Sequence, residues 1–140
     1  MGWSMHHPVG LIYYSPAPCY RGYTLTTTVR GYDAYLVDME GRVCHHWRCQ
    51  EGIEYAYLLP SGNLLLRIGA AREAGGAEGI GGSSGAILEL DWYGNVVWAY
   101  REPYLHHDFE RLPNGNTLVL LWQRLSPELT AQVRGGRADS

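Results

Sequence analysis

The chain has 140 residues, 46% of them hydrophobic, and a net charge of −3. That is enough for one domain with a real core and too apolar for a disordered chain. There is no basic run to face nucleic acid or an anionic membrane, and no stretch approaches the roughly 18 apolar residues of a spanning helix.

All 11 basic residues are arginine. The absence of lysine removes Walker-type phosphate loops, Schiff-base chemistry and lysine general bases from consideration. The N-terminal MGWSMHHP has neither a basic start nor an apolar signal core, so the chain is expected in the cytoplasm unless a leader precedes it.

In chain order, residues 1–22 carry Pro8, Pro16 and Pro18 and read as an extended lead-in, with a short strand near Leu11–Tyr14. Tyr23–Val29, rich in Thr and Tyr, reads as a strand. Ala34–Met39 and Arg42–Trp47 form a hairpin about Glu40-Gly41, and Arg48–Gly52 is a connector. Glu54–Leu59 and Leu64–Ile68 form a second hairpin about Ser61-Gly62. After a Gly-rich loop, Ala86–Leu90 and Val96–Tyr100 form a third about Tyr93-Gly94. Leu105–Trp122 is the fourth, and its Asn114-Gly115 pair predicts a type I′ turn with positive φ at both residues. Ser126-Pro127-Glu128 reads as an N-cap with Pro at the first helical position, so one helical turn precedes a loose tail; residues 126–140 form this last part.

The hairpins repeat. Pro60, Gly62 and Asn63 align with Pro113, Gly115 and Asn116 at one offset (113 − 60 = 53). Asp38, Gly41 and Val43 align with Asp91, Gly94 and Val96 at the same offset (91 − 38 = 53). Four-stranded units recurring every 40 to 50 or so residues are the mark of a β-propeller of about four to eight blades. The fold class is therefore read as all-β: an incomplete propeller over residues 23–125, about two blades of four-stranded antiparallel sheet. One blade is whole, a blade minus one strand precedes it, and half a blade follows. A chain of this length is expected to be the N-terminal part of a longer protein, with self-association through open blade edges as the second possibility.

The ordered motifs YTLTT (23–27), YLVDMEGRV (35–43), YLLPSGNLL (57–65), ELDWYGNVVW (89–98) and HHDFERLPNGNTLVL (106–120) resemble, in the same order, those of bacterial arylsulfotransferases. The resemblance covers Tyr23–Arg134 and implies the opening third of a six-bladed parent. It also implies transfer of a sulfuryl group from an aryl sulfate ester to a phenol, without a nucleotide donor or other cofactor, through a transiently sulfated histidine. The further histidines and the arginine it implies belong to later blades, and the well-known members are exported, whereas no signal is visible here. The alternative is a non-enzymatic propeller module that binds a small ligand or protein partner.

His107 is the main catalytic candidate. The repeat sets Glu54 opposite His107 and Tyr55 opposite Asp108, so the scaffold itself does not demand histidine there. Imidazole can attack sulfur or exchange a proton with a phenol near neutral pH. Asp108 could fix its tautomer, although neighbouring strand residues point to opposite faces, so Asp108 could serve the backbone instead. His106, Tyr55 and Arg67 are the candidate substrate contacts, with Arg72 and Arg101 as further partners for sulfate oxygens. The bland reading of His107 is a solvated connector residue.

Other features carry less. All six histidines fall in three His-His pairs, but adjacent strand residues cannot both face one ion, and no metal is expected. His45-His46 is placed on a closing strand at the outer side, His6-His7 in the lead-in. Ala74–Gly85 lacks the third glycine and following helix of a dinucleotide loop and reads as a long mobile loop or lid. Cys44 and Cys49 could bridge; free buried thiols are preferred. Trp92, Trp98 and Trp122 are expected to pack between blades.

Overall fold

The computed structural model describes residues 11–28, 31–69 and 84–135. These residues form three antiparallel sheets, in the order β1-β2-β3, β4-β5-β6-β7 and β8-β9. The first holds β1 (Thr24–Thr27), β2 (Gly31–Val37) and β3 (Val43–Ile53). The second holds β4 (Tyr55–Leu58), β5 (Leu64–Gly69), β6 (Ser84–Leu90) and β7 (Val96–Arg101). The third is the hairpin of β8 (Leu105–Arg111) and β9 (Thr117–Leu121). A single helical turn, α1 (Pro127–Thr130), follows, capped by the Ser126 side chain accepting from the Leu129 N–H. Among the described residues no helix is long and apolar enough to cross a membrane.

The sheets are consecutive meanders that stack on one another. In the middle sheet Leu64, Leu66, Ile68, Ala86, Leu88 and Leu90 turn toward the first sheet, where they pack with Ala34, Leu36, Trp47, Cys49 and Ile53. The intervening Leu65 and Ile87 turn the other way and pack with Leu105 and Phe109 of the third sheet. Both faces of the middle sheet are thus covered, which explains why Leu64-Leu65-Leu66 is a continuous apolar run rather than an alternating one.

The 53-residue offset is carried into the backbone register. Leu58↔Leu64, Tyr57↔Leu65 and Ala56↔Leu66 become Arg111↔Thr117, Glu110↔Leu118 and Phe109↔Val119. Leu36↔His45, Ala34↔Trp47 and Asp33↔Arg48 become Glu89↔Trp98, Ile87↔Tyr100 and Ala86↔Arg101. Even the irregularity before the turn recurs, at Leu36/Val37 and at Glu89/Leu90. The cause is a repeated turn. Asp38 Oδ1 accepts from the Glu40 and Arg42 N–H groups at 3.0 and 2.8 Å. Asp91 Oδ1 accepts from the Tyr93 and Asn95 N–H groups at 2.9 and 2.8 Å. Gly41 and Gly94 then take φ of +79° and +87°, which a side chain disfavours.

Three sequence expectations need correction. Asn114-Gly115 is not a type I′ turn, because among the described residues only His107 is a non-glycine with positive φ. The Gly115 N–H donates to the Leu112 carbonyl and the Leu112 N–H to the Asn116 carbonyl. This is a three-residue loop, a type I turn closed by a left-handed glycine. Pro113 dictates it, since its ring holds φ near −65° at the first turn position. Secondly, Arg48–Gly52 is no connector: β3 runs through it to Ile53, with Gly52 at φ +85°. Thirdly, Leu11–Tyr14 is not a strand. Leu11 lies against the β2–β3 turn, its Cβ only 3.1 Å from where a Cβ on Gly41 would stand.

The three cysteines are free, Cys49 buried and Cys19 and Cys44 exposed. Cys44 and Cys49 lie five positions apart on one strand, roughly 16 Å, far beyond disulfide reach. Burial raises the Cys49 thiol pKa, which makes it a small core residue and not a nucleophile.

Candidate functional site

The candidate residues gather at the starts of β4 and β8. Strand β8 departs here from the regular repeat. Its pairs with β9 go from Phe109↔Val119 to Leu105↔Leu121, so four steps on β8 match two on β9. The two extra residues form a bulge at 106–108, where the equivalent part of β4 continues regularly through Tyr55↔Arg67. Bulges re-aim side chains. At this one His107 takes φ +49°, a left-handed conformation that costs free energy for any residue with a Cβ.

The bulge defeats the alternation rule that would send neighbouring side chains to opposite faces. His106 Nδ1 and His107 Nδ1 approach to 3.0 Å, with their rings edge to face at 5.3 Å. One nitrogen must donate and the other accept, so the pair shares a proton-bearing contact. His106 is braced from behind by Trp122, stacked at 4.4 Å and 23°, while His107 is exposed. Trp122 therefore supports the bulge from its own sheet, not as packing between sheets; its N–H donates to the Tyr104 carbonyl at 2.8 Å. Asp108 does not hold an imidazole: its Oδ1 accepts from the Phe109 N–H at 2.9 Å, closing the bulge.

Tyr55 and Arg67 are cross-strand partners at the start of β4. Tyr55 is half-exposed and meets Phe109 edge to face at 5.8 Å. Phe109 also stacks on Tyr57 at 5.5 Å, so an aromatic wall joins the second and third sheets below His107. Arg67 is mostly buried; its Nη1 donates to Ser84 Oγ at 2.6 Å and its Nη2 lies 3.7 Å from Glu54. His107 meets His106, Tyr55 meets Tyr57 and Phe109, and the partners of Arg67 include Ser84 and Glu54.

A polar contact that sequence reasoning missed locks this arrangement. The Arg111 Nη2 donates to Glu89 at 2.9 Å, its guanidinium lies 4.7 Å from the Trp98 ring centre, and its backbone N–H donates to the Tyr57 hydroxyl at 2.8 Å. Asn63 Nδ2 donates to the other Glu89 oxygen at 2.7 Å. The signal was in the repeat: Glu89 occupies the position of the apolar Leu36, and an interior carboxylate needs such partners. Desolvation raises the Tyr57 phenol, with the Arg111 N–H opposing, which suits a neutral acceptor.

The remaining candidates are structural or lie elsewhere. His45 stacks on Trp92 at 3.7 Å and donates to its carbonyl at 2.9 Å, joining the first two sheets. His46 donates to Asp33 at 2.7 Å on the first sheet's outward side. Arg101 makes a two-pronged pair with Glu51 at 2.7 and 2.8 Å, so it serves the sheet junction. Trp92 and Trp98 pack between sheets. His6, His7, Arg72 and most of Ala74–Gly85 lie outside the described residues. Among the described residues no group of three or more His, Cys, Asp or Glu is placed to hold a metal ion. Comparison with protein-family models, with curated proteins and with solved structures finds no match.

Proposed function

We propose that the three sheets are consecutive blades of a six-bladed β-propeller, and that its site transfers a sulfuryl group from an aryl sulfate ester to a phenol. The observation that carries this reading is the bulge at 106–108. A repeat that is otherwise regular is interrupted there to hold an exposed imidazole at φ +49°. Strain of this kind persists where the surrounding structure enforces it, and it clusters at functional sites.

His107 stands at the bridging phenolic oxygen of the donor. As the S–O bond breaks, electron density collects on that oxygen; an N–H of His107 is donated to it and the phenol leaves. The sulfur passes to a nucleophilic nitrogen supplied by another blade; in the second half-reaction the acceptor phenol gives its proton back to His107 as its oxygen attacks sulfur, and the S–N bond breaks with its electron pair returning to that nitrogen. A donor placed where charge develops is commonly worth two to three powers of ten in rate. The His106 contact orients the ring, and the half-exposed Tyr55 offers an aromatic edge to the substrate.

A second reading, a binding module without chemistry, has one observation in its favour. Arg67, which the sequence offered to the sulfate oxygens, is engaged with Ser84 and Glu54.

The test is release of 4-nitrophenol from 4-nitrophenyl sulfate in the presence of a phenol, using the product of the full reading frame. His107→Ala is expected to lower transfer by roughly two to three powers of ten with an unchanged circular dichroism spectrum, and His46→Ala to leave it intact. Full activity in the His107 variant removes that residue from the mechanism. Saturable binding of the ester with no turnover selects the second reading.

A further inference from the structure

We infer that His106 is a positioning residue whose Nδ1 accepts the Nδ1–H of His107, so that Nε2 of His107 is the nitrogen that gives up and regains the proton. The inference rests on the transfer proposed above and assigns the direction of one hydrogen bond within it. His106 Nδ1 and His107 Nδ1 lie 3.0 Å apart, which leaves room for one hydrogen between them and not for two. Either His106 donates and His107 accepts, or His107 donates and His106 accepts.

The proton count selects the second arrangement. A His107 ring whose Nδ1 only accepts is neutral with its proton on Nε2, and releasing that proton leaves an imidazolate anion. A ring whose Nδ1–H donates can carry a second proton on Nε2, release it and end neutral. The loaded pair then holds three ring protons: on Nε2 of His106, between the two Nδ1 atoms, and on Nε2 of His107. As the S–O bond breaks, its electron pair goes to the phenolic oxygen, which takes the Nε2 proton of His107. The electrons of that N–H bond stay on Nε2 as a lone pair, and the acceptor phenol protonates it in the second half-reaction. The shared proton rests on Nδ1 of His107, and His106 keeps its Nε2 proton throughout.

The surroundings agree. A functional imidazole is commonly oriented by a carboxylate or a backbone carbonyl at its second nitrogen. The adjacent carboxylate does not serve here, because Asp108 Oδ1 accepts from the Phe109 N–H, and the His106 nitrogen takes its place. That acceptor is itself fixed. The His106 ring lies on Trp122 at 4.4 Å and 23°, and the Trp122 backbone N–H is tied to the Tyr104 carbonyl at 2.8 Å. The two imidazoles stand edge to face at 89°, so their nitrogens meet without the rings overlapping. Regular alternation along β8 would have sent these side chains to opposite faces. The bulge, with His107 at φ +49°, is what brings Nδ1 of His107 onto a fixed acceptor.

The experiment labels the histidine ring nitrogens of the full reading-frame product and reads their NMR shifts at the alkaline plateau of the spectrum, beside turnover of 4-nitrophenyl sulfate. A protonated Nδ1 and bare Nε2 are expected on His107, and the converse on His106. His106→Phe keeps a ring against Trp122 and removes the acceptor. It is expected to move the His107 proton to Nε2 and to lower kcat about tenfold or more with KM unchanged, because ester binding is untouched. His106→Asn offers Oδ1 as an acceptor without the stacked ring, and is expected to restore the Nδ1–H and most of kcat. A purely structural His106 reverses that order, since Phe preserves the stacking better than Asn. The inference is overturned by a bare Nδ1 on His107 in the unaltered protein, by the same nitrogen pattern in the Phe variant, or by a Phe variant that outperforms Asn. If the unaltered protein turns over no ester, the transfer reading fails, and the nitrogen pattern alone upholds or overturns the hydrogen-bond assignment. If the Phe variant does not fold, the unaltered protein and the Asn variant decide by the same pattern.

Discussion

His107 is held in a conformation that a glycine would adopt more readily, at φ +49°. Replacing it with Gly relieves that cost while removing the imidazole, so His107→Gly is expected to raise stability by about 0.5–1 kcal/mol in denaturant unfolding. A loss of similar size shows that the ring contact with His106, and not the backbone strain, dominates this position. The turn aspartates behave oppositely. Asp38 is held below the ordinary carboxylate range chiefly by the Arg42 N–H, and Asp91 chiefly by the Asn95 side chain. A carboxyl whose folded pKa is lowered contributes stability above its unfolded value, and that contribution is lost as pH falls through the folded value. Amide protection at Arg42 and Asn95 should therefore be intact above roughly pH 4 and fall below it. Asp91→Asn should flatten the dependence at Asn95 and leave that at Arg42; equal flattening at both contradicts the assignment.

Equivalent positions on equivalent strands do not share an energetic role, because their neighbours differ. Leu65→Ala opens a cavity between the second and third sheets and should cost about 2–5 kcal/mol, whereas Leu118→Ala on a bare face should stay within about 0.5 kcal/mol. Similar costs at both sites would mean that the third sheet is already covered. The hairpins, their offset and their order were legible because turn residues and the 53-residue spacing are local signals. The turn at Asn114 was misread because Pro113, one residue earlier, outweighs the Asn-Gly preference through its φ. The bulge was not legible: nothing in HHDF announces two extra residues, since register is set by how Phe109 docks on Tyr57 and by the Asp108 bond to the backbone. For the same reason the meeting of His106 with His107 ran against the alternation rule, while Asp108 took the backbone role that alternation had left open.

Taken as a whole, the described residues form a stack of three sheets, and the candidate site lies where the middle and third sheets meet. The network of Arg111, Glu89, Asn63 and Tyr57 makes that meeting rigid, and rigidity beneath His107 is what a preorganised proton donor requires. Arg67 and Tyr55 flank the same junction, one engaged with Ser84 and Glu54 and one half-exposed, so the proposed reaction assigns substrate contact from this chain to Tyr55 and His107. The most direct measurement is a crystal structure of the full reading-frame product bound to 4-nitrophenyl sulfate. The bridging oxygen or a sulfuryl oxygen is expected within hydrogen-bonding distance, about 2.7–3.2 Å, of the His107 imidazole, with the aromatic ring against Tyr55. An ester bound away from the bulge, with His107 turned to bulk solvent, would contradict it.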